Sequence, residues 1–264
     1  MEILALVKLA LDTGQLRISE SKIDVESTPL RISDIDRNAV EEAVRIKEKA
    51  GGRVRVITVL KYGPLARRQQ EAESLLREVL AMGADEAYLI ADNALINSDQ
   101  LMTAKAIAAT VRKLGNYDLI IAGEATIDGY TSQVGPRVAA ELGIPVISFV
   151  RELRVEGNKV VAKRDLEDSV QTVEAQLPVL VTVTREINVP RIPPLLQIRM
   201  AMRKPINRLS LADLGISLKS PVEVTNVAPI QVRRKGVIIK EGTVDEKVDK
   251  LVQALVQEGI ITPR

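Results

Sequence analysis

Short apolar runs alternate with helix-length amphipathic stretches through the first 150 residues, and few folds satisfy that alternation. Residues 3–9, 54–60, 86–91, 119–123 and 146–150 are short, apolar and bounded by polar residues or glycine. Strands buried on both faces read this way. Between them, residues 36–50 place Ala39, Ala43, Ile46 and Ala50 on one helical face. Residues 66–82 do so with Ala72, Leu75, Leu76, Val79 and Leu80, residues 99–114 with Leu101, Ala104, Ile107, Ala108 and Val111, and residues 134–142 with Val134, Val138 and Leu142. A helix between successive strands demands parallel pairing. The fold class is therefore α/β, a parallel sheet with helices on both faces.

Within this pattern the segment DLIIAGEATIDGYTSQVGPRVAAELGIP, residues 118–145, carries the chemistry. An apolar strand ends at Gly123, a polar loop follows, and a helix begins after Gly135 and Pro136. The free N–H groups of a helix start and its dipole both favour an anion. Open α/β sheets bind ligands at such carboxyl ends. The segment reads as a nucleotide phosphate site, or more plainly as a well-capped strand–helix connection. Asp128 is suited to ribose hydroxyls or backbone N–H groups. Thr131, Ser132 and Gln133 stand where they can donate to phosphate oxygens, and Gly129 and Gly135 let backbone approach a ligand.

Composition removes whole classes of chemistry. The chain has no Cys, His or Trp. That excludes disulfides, cysteine-ligated clusters, thiol nucleophiles, zinc fingers and Ser-His-Asp triads from this chain, and no metal site is expected. The commonest general base is missing too, so the easier reading is chemistry that belongs to a bound cofactor. A net charge of +2 calls for neither nucleic acid nor a membrane surface. No apolar run reaches the roughly 18 residues of a membrane span. The opening MEILALVKLAL lacks a basic lead-in and a cleavage site, so it reads as a first strand and the location as cytoplasmic. Few thermolabile residues and 27% charged residues fit a thermophile.

After Val150 the pattern changes. LRVEGNKVVAKRD reads as a hairpin turning at Glu156-Gly157-Asn158, and residues 170–173 and 179–183 as further strands. Three prolines in residues 188–204 forbid a helix before Pro194. A helix is expected at about 243–258, opened by a Thr243-x-x-Glu246 capping box. Residues 205–242 lack periodicity and read as an arm in need of a partner surface. The expected division is a nucleotide-binding α/β domain over 1–204 and a C-terminal arm over 205–264.

Other polar groups stand at the same sheet edge. Lys8 either neutralises a phosphate or faces solvent. Ser33-x-x-Asp36 marks a helix start, with capping the plainer role and ligand contact compatible with it. Lys61-Tyr62-Gly63-Pro64 is a turn whose position alone makes it a candidate. Glu41-Glu42 and Glu167-Asp168 read as solvated and not as catalytic pairs.

These residues resemble a known family, the β subunit of electron transfer flavoprotein, over nearly the whole chain. VKLALDT is similar to its V-K-x-x-x-D-T, ISDIDRNAVEEAVRIKE to N-P-x-D-x-x-A-x-E-E-A, and VLAMGADEAYLI to A-x-G-A-D. The strongest marker is AKRDLEDSVQTVEAQLPVLVT, with Arg164, Glu167, Asp168, Gln171, Val173, Pro178 and Thr182 in the family order; Ser169 departs from it. INVPRIPPLLQIRMAMRK resembles the N-x-P-R loop and basic tail. Ser33-Asp34 stands where the family has Asn-Pro.

The resemblance implies a flavodoxin-like, adenine-nucleotide-binding domain and a C-terminal arm that wraps an α subunit. That subunit holds an FAD exchanging electrons with dehydrogenases or a quinone reductase. The β subunit holds a second nucleotide: AMP in the simple members, a second FAD in the electron-bifurcating ones. The bifurcating loop D-G-D-T-A-Q-V-G-P is matched by Asp128, Gly129, Thr131, Gln133, Val134, Gly135 and Pro136, with Tyr130 and Ser132 departing, and the AMP-type D-D-x-x-N-Q-T-G fits worse. The favoured reading is thus an electron carrier that binds FAD and, within its complex, acts as an NADH-dependent oxidoreductase. Electrons from NADH divide between a quinone branch and a low-potential acceptor. The alternative is an AMP-binding subunit that docks acyl-CoA-type dehydrogenases.

Implied cofactor contacts are Leu6, Lys8, Ser33, Asp36, Tyr62, Gly123, Glu124, Ala125, Thr126, Ile127, Asp128, Gly129, Thr131, Ser132, Gln133 and Val134. Pro193, Leu195 and Leu196 correspond to the loop near 188–200 that docks on partners. An apolar anchor beside prolines suggests an interface in its own right. Further implied partners are a quinone oxidoreductase, through which membrane association would come, and a ferredoxin-like subunit.

Overall fold

The computed structural model describes residues 1–19, 22–230 and 235–262. The sequence's alternation becomes one nine-stranded sheet. Its strands in chain order are β1 (Glu2–Leu6), β6 (Arg53–Val59), β7 (Glu86–Ile90), β8 (Leu119–Gly123), β9 (Val146–Glu156), β10 (Lys159–Asp165), β11 (Val170–Gln176), β12 (Val179–Val183) and β13 (Ile206–Leu209). The spatial order is β11-β10-β9-β12-β8-β1-β6-β7-β13. All neighbours from β9 to β13 pair in parallel, and β10 and β11 add an antiparallel edge. The missing numbers belong to small strands between β1 and β6: β2 (Leu9–Leu11) pairs with β5 (Leu30–Ile32), and β3 (Arg17–Ser19) with β4 (Lys22–Asp24).

Helices cover both faces because strand side chains alternate. Ile3 and Ala5 of β1 enter a core with Ala39, Val40 and Ala43 of α1 (Asp34–Ala50) and Ala72 and Leu76 of α2 (Leu65–Met82). Leu4 and Leu6 enter the opposite core, with Ala104, Ile107 and Val111 of α3 (Gln100–Leu114) and Val138 and Ala139 of α4 (Val134–Leu142). Four consecutive residues of β1 thus feed both cores, which is why the strand reads as a continuous apolar run. No helix among the described residues is long and apolar enough to cross a membrane.

Three local expectations need correction. The first apolar run stops at Leu6 as a strand, and Leu9–Leu11 pairs separately with Leu30–Ile32. The run at 146–150 continues to Glu156 in a single strand, because its outer half pairs with β10 in the hairpin. The boundary at 204 also moves. Ile206–Leu209 joins the edge of β7, Leu211 is buried, and Arg77 Nη1 donates to Ala201 O (2.7 Å). A four-residue edge strand is too short for periodicity to reveal, yet it covers N–H and C=O groups that β7 would leave bare. After Pro194 comes α5 (Leu195–Ala201).

The chain divides into two compact units, one from Met1 to Ala228 and one from Pro229 onward. The second carries α6 (Val244–Gln257). Its capping box is formed: Glu246 N–H donates to Thr243 Oγ1 (3.3 Å), and Thr243 N–H donates to Glu246 Oε2 (2.8 Å). Val244, Val248, Leu251 and Val252 of this helix are exposed.

Candidate functional site

The carboxyl ends of β1 and β8 lie side by side, with Leu6 opposite Ala122. Both chains then leave the sheet, so the next N–H groups need acceptors. Asp36, in the first turn of α1, supplies them. Lys8 N–H donates to Asp36 Oδ2 (2.7 Å) and Gly123 N–H donates to Asp36 Oδ1 (3.2 Å). Burial pushes the Asp36 carboxyl up to about 7, against these two donors and the charge of Lys8. Gly123 is required here: a Cβ would lie 2.4 Å from Asp36 Oδ1. Ser33 precedes α1 but does not cap it through its side chain, and its buried Oγ has no partner. The expected capping pair is therefore a strand clamp made by Asp36 alone.

The loop from Glu124 to Gln133 turns back on itself, with Tyr130 N–H donating to Thr126 O (2.9 Å). Asp128 anchors it. Lys8 Nζ (2.6 Å) and Thr126 Oγ1 (3.0 Å) donate to its Oδ1; Tyr62 Oη (2.6 Å) and Leu11 N–H (3.1 Å) donate to its Oδ2. Burial would raise the Asp128 carboxyl, but the charge and hydrogen bond of Lys8, with those of Tyr62 and Leu11, outweigh it and hold it below the usual carboxylate range. Tyr62, half-buried and bonded to a carboxylate, is raised, with desolvation the larger cause. All four lone-pair directions of Asp128 are committed to protein. Tyr130 and Ser132 adopt left-handed backbone (φ 47° and 54°), strain that persists where surroundings dictate the path.

The result is an open cleft over the carboxyl ends of β1 and β8. Leu6, Val59 and Ile107 give it an apolar floor. Glu124, Ala125, Thr126, Gly129, Thr131, Ser132 and Gln133 form one wall, with Lys8, Asp36 and Gly123 at its base. Gln133, Val134 and Gly135 bring in the start of α4, which has no side-chain cap. The helix start that the sequence suggested for an anion thus stands at the edge of the cleft. Burial, with Glu186 nearby, raises the Glu124 carboxyl.

Twelve of the sixteen expected contacts thus line the cleft; Ser33, Tyr62, Ile127 and Asp128 do not. Gly135 has a structural reason to be glycine, since a Cβ would lie 2.7 Å from Thr182 Cγ2. At Gly129 a Cβ would meet nothing nearer than 3.5 Å, so close backbone approach is not what that position demands. The far wall consists of Lys61, a candidate by its position in the turn after β6, and of Gln100 and Thr103, which sequence reasoning did not bring to the site. The available signal was the helix start at Asp99, which caps α3 by accepting from Met102 N–H (2.8 Å) at the same sheet edge.

The pair Glu41-Glu42, expected in solvent, is buried. Arg191 Nε donates to Glu41 Oε2 (2.8 Å) and Nη1 to Glu48 Oε1 (2.6 Å), while Asn188 Nδ2 donates to Glu42 Oε2 (3.0 Å). These bonds hold residues 188–191 on α1, a partner 150 positions away that no local pattern encodes. Beyond them Ile192, Leu195 and Leu196 are exposed and Pro193 is half-buried.

Residues 22–214 match the model of the electron transfer flavoprotein domain. Electron transfer flavoprotein subunit beta of Thermoanaerobacterium thermosaccharolyticum is 40% identical over 270 residues, covering 99% of this chain and all of that one. The subunit of the same name from Megasphaera elsdenii is 38% identical over 277 residues, again across 99% of this chain and all of its own. Caffeyl-CoA reductase-Etf complex subunit CarD of Acetobacterium woodii is 34% identical over 269 residues, with the same coverage. With a doubly covered parallel sheet, a cleft at its carboxyl edge and full-length similarity, this chain belongs to the electron transfer flavoprotein β-subunit family.

Proposed function

We propose that this chain pairs with an α subunit and holds the adenosine and pyrophosphate of an FAD in the cleft over β1, serving a complex that draws electrons from NADH and divides them between a quinone branch and a low-potential acceptor. The observation that carries the nucleotide reading is the junction of an apolar floor with an uncapped helix start. The floor of Leu6, Val59 and Ile107 suits an adenine ring. Thr126, Thr131, Ser132 and the first N–H groups of α4 would hold phosphate oxygens. When bound, a flavin accepts electrons in pairs and releases them singly; the residues of this chain bind it, orient it and set its electrostatics.

FAD is favoured over AMP by the loop Asp128-Gly129-Tyr130-Thr131-Ser132-Gln133-Val134-Gly135-Pro136 and by similarity to a subunit of a caffeyl-CoA reductase-Etf complex. The exposed apolar stripe of α6 supports an α-subunit contact, and Ile192, Leu195 and Leu196 support docking of a dehydrogenase. Under the second reading, AMP in the same cleft stabilises the fold by mass action.

The test is to co-express the chain with its α subunit, release bound nucleotides with acid and quantify them. Two FAD per heterodimer is the expected result. One FAD with one AMP would replace the bifurcating reading with the structural one. A heterodimer holding no second nucleotide would end the cleft assignment.

A further inference from the structure

The cleft holds two lysines in unlike circumstances. Lys8 Nζ is bound to Asp128 Oδ1 (2.6 Å) and lies 3.4 Å from Thr126 Oγ1. Lys61 also lines the cleft, on the wall with Gln100 and Thr103, but makes no side-chain hydrogen bond or ion pair among the described residues. Its backbone is well fixed: it follows β6 by two residues, and Asn97 N–H donates to its carbonyl (2.9 Å). The ammonium is thus carried to a set place and left without an acceptor there.

The charged groups facing Lys61 are Lys8 at the end of β1, Asp128 in the loop after β8 and Asp99 ahead of α3. Neither acid pairs with it. Asp128 already accepts from four donors, and Asp99 accepts from Met102 N–H (2.8 Å) and Ser220 Oγ (3.3 Å). A half-buried cation with no partner is costly unless something supplies the missing oxygens. Burial first, then the charge of Lys8, lowers the Lys61 ammonium to about 8.

We infer that Lys61 is the specificity-determining residue of this cleft, contacting a phosphate oxygen of the nucleotide and thereby selecting phosphorylated nucleotides over neutral nucleosides. The inference rests on the nucleotide reading of the cleft given above. An ammonium offers three donors and no acceptor, so phosphate oxygens satisfy it fully, whereas nucleoside hydroxyls and ring nitrogens bring no opposing charge. Lys8 cannot replace it without leaving Asp128. Both lysines sit within one cleft, but only Lys61 has charge left for a ligand.

The experiment uses the heterodimer stripped of nucleotide, with AMP and adenosine as probes in equilibrium dialysis against wild type, Lys61→Gln and Lys61→Arg. Lys61→Gln should weaken AMP about tenfold, the loss of one charge-assisted hydrogen bond, and change adenosine less than about twofold. Lys61→Arg should retain most of the AMP affinity. Wild-type AMP affinity should fall as pH rises through about 8 while Lys61→Arg stays flat, because only the lysine loses its charge there. An equal loss of AMP and adenosine in Lys61→Gln would reduce Lys61 to a packing residue and overturn the inference. So would unchanged AMP binding. If wild type binds neither probe, the cleft reading itself falls and takes the inference with it.

Discussion

Two irregular loops of the first unit are each tied down by a buried carboxylate, in opposite senses. In the loop after β8 the acid belongs to the loop: Asp128 reaches back to Lys8, Tyr62 and the Leu11 N–H of the scaffold. In the loop at 188–194 the acid belongs to the scaffold: Glu41 of α1 receives Arg191 from the loop. The Asp128 and Glu41 side chains are equally hidden, 4% and 3% exposed, but their cations are not, Lys8 at 22% and Arg191 at 32%. The first loop is pinned at its middle and makes a rigid wall. The second is pinned at its base, and its apolar tip, with Ile192 92% and Leu195 66% exposed, is left in solvent. Similar chemistry thus anchors a loop at its middle in one case and at its base in the other.

The comparison can be broken hardest at Asp128. Asp128→Ala leaves Lys8 and Tyr62 without their acceptor and should cost roughly 3–5 kcal/mol of stability, with loss of nucleotide binding. Denaturant unfolding of the full chain measures it; a change under about 1 kcal/mol would mean the loop does not depend on this anchor. At Glu41 the effect should be smaller, about 2 kcal/mol for Glu41→Ala, because Arg191 is partly hydrated and keeps Glu48. Amide exchange should then quicken at residues 188–192 and stay unchanged at 124–133. Quickening in both loops would show that they are not independently held.

The smallest effect on stability, and the sharpest on function, belongs to the tip. Leu195→Ala with Leu196→Ala should shift stability by no more than about 0.5 kcal/mol, since both side chains are already in water. It should weaken capture by a partner dehydrogenase in surface-binding measurements while leaving nucleotide content intact. Unchanged capture would move the docking surface elsewhere.

Much of this architecture was legible in the residues. The strand at Leu119–Gly123 and the helix at Val134–Leu142 fall where apolar spacing and Gly123 place them. So does the break at Pro194 before α5. The wall of the cleft next to these elements was also readable, because residues 123–134 are contiguous. Its other wall was readable only at Lys61, a candidate by its place after β6; Gln100 and Thr103 come from a further connection and join it only when the sheet aligns β6 and β8 on either side of β1. The burial of Glu41 and Glu42 was illegible for the same reason: adjacent glutamates look solvated until a distant Arg191 and Asn188 cover them.

By itself, then, the sequence determined the periodicities, 2 along strands and 3.6 along helices, and with them a parallel α/β sheet, its helix starts and the chemistry-poor composition that points to a bound cofactor. These are local properties of side-chain spacing and type. Only the tertiary structure decided which polar groups are committed and which are free. Asp128, which reads as a ligand contact, is consumed by the protein, and Lys61, which reads as part of a turn, is left unpaired in the cleft. Hydrogen-bond partnership depends on distances between segments remote in the chain, and no local pattern carries those distances.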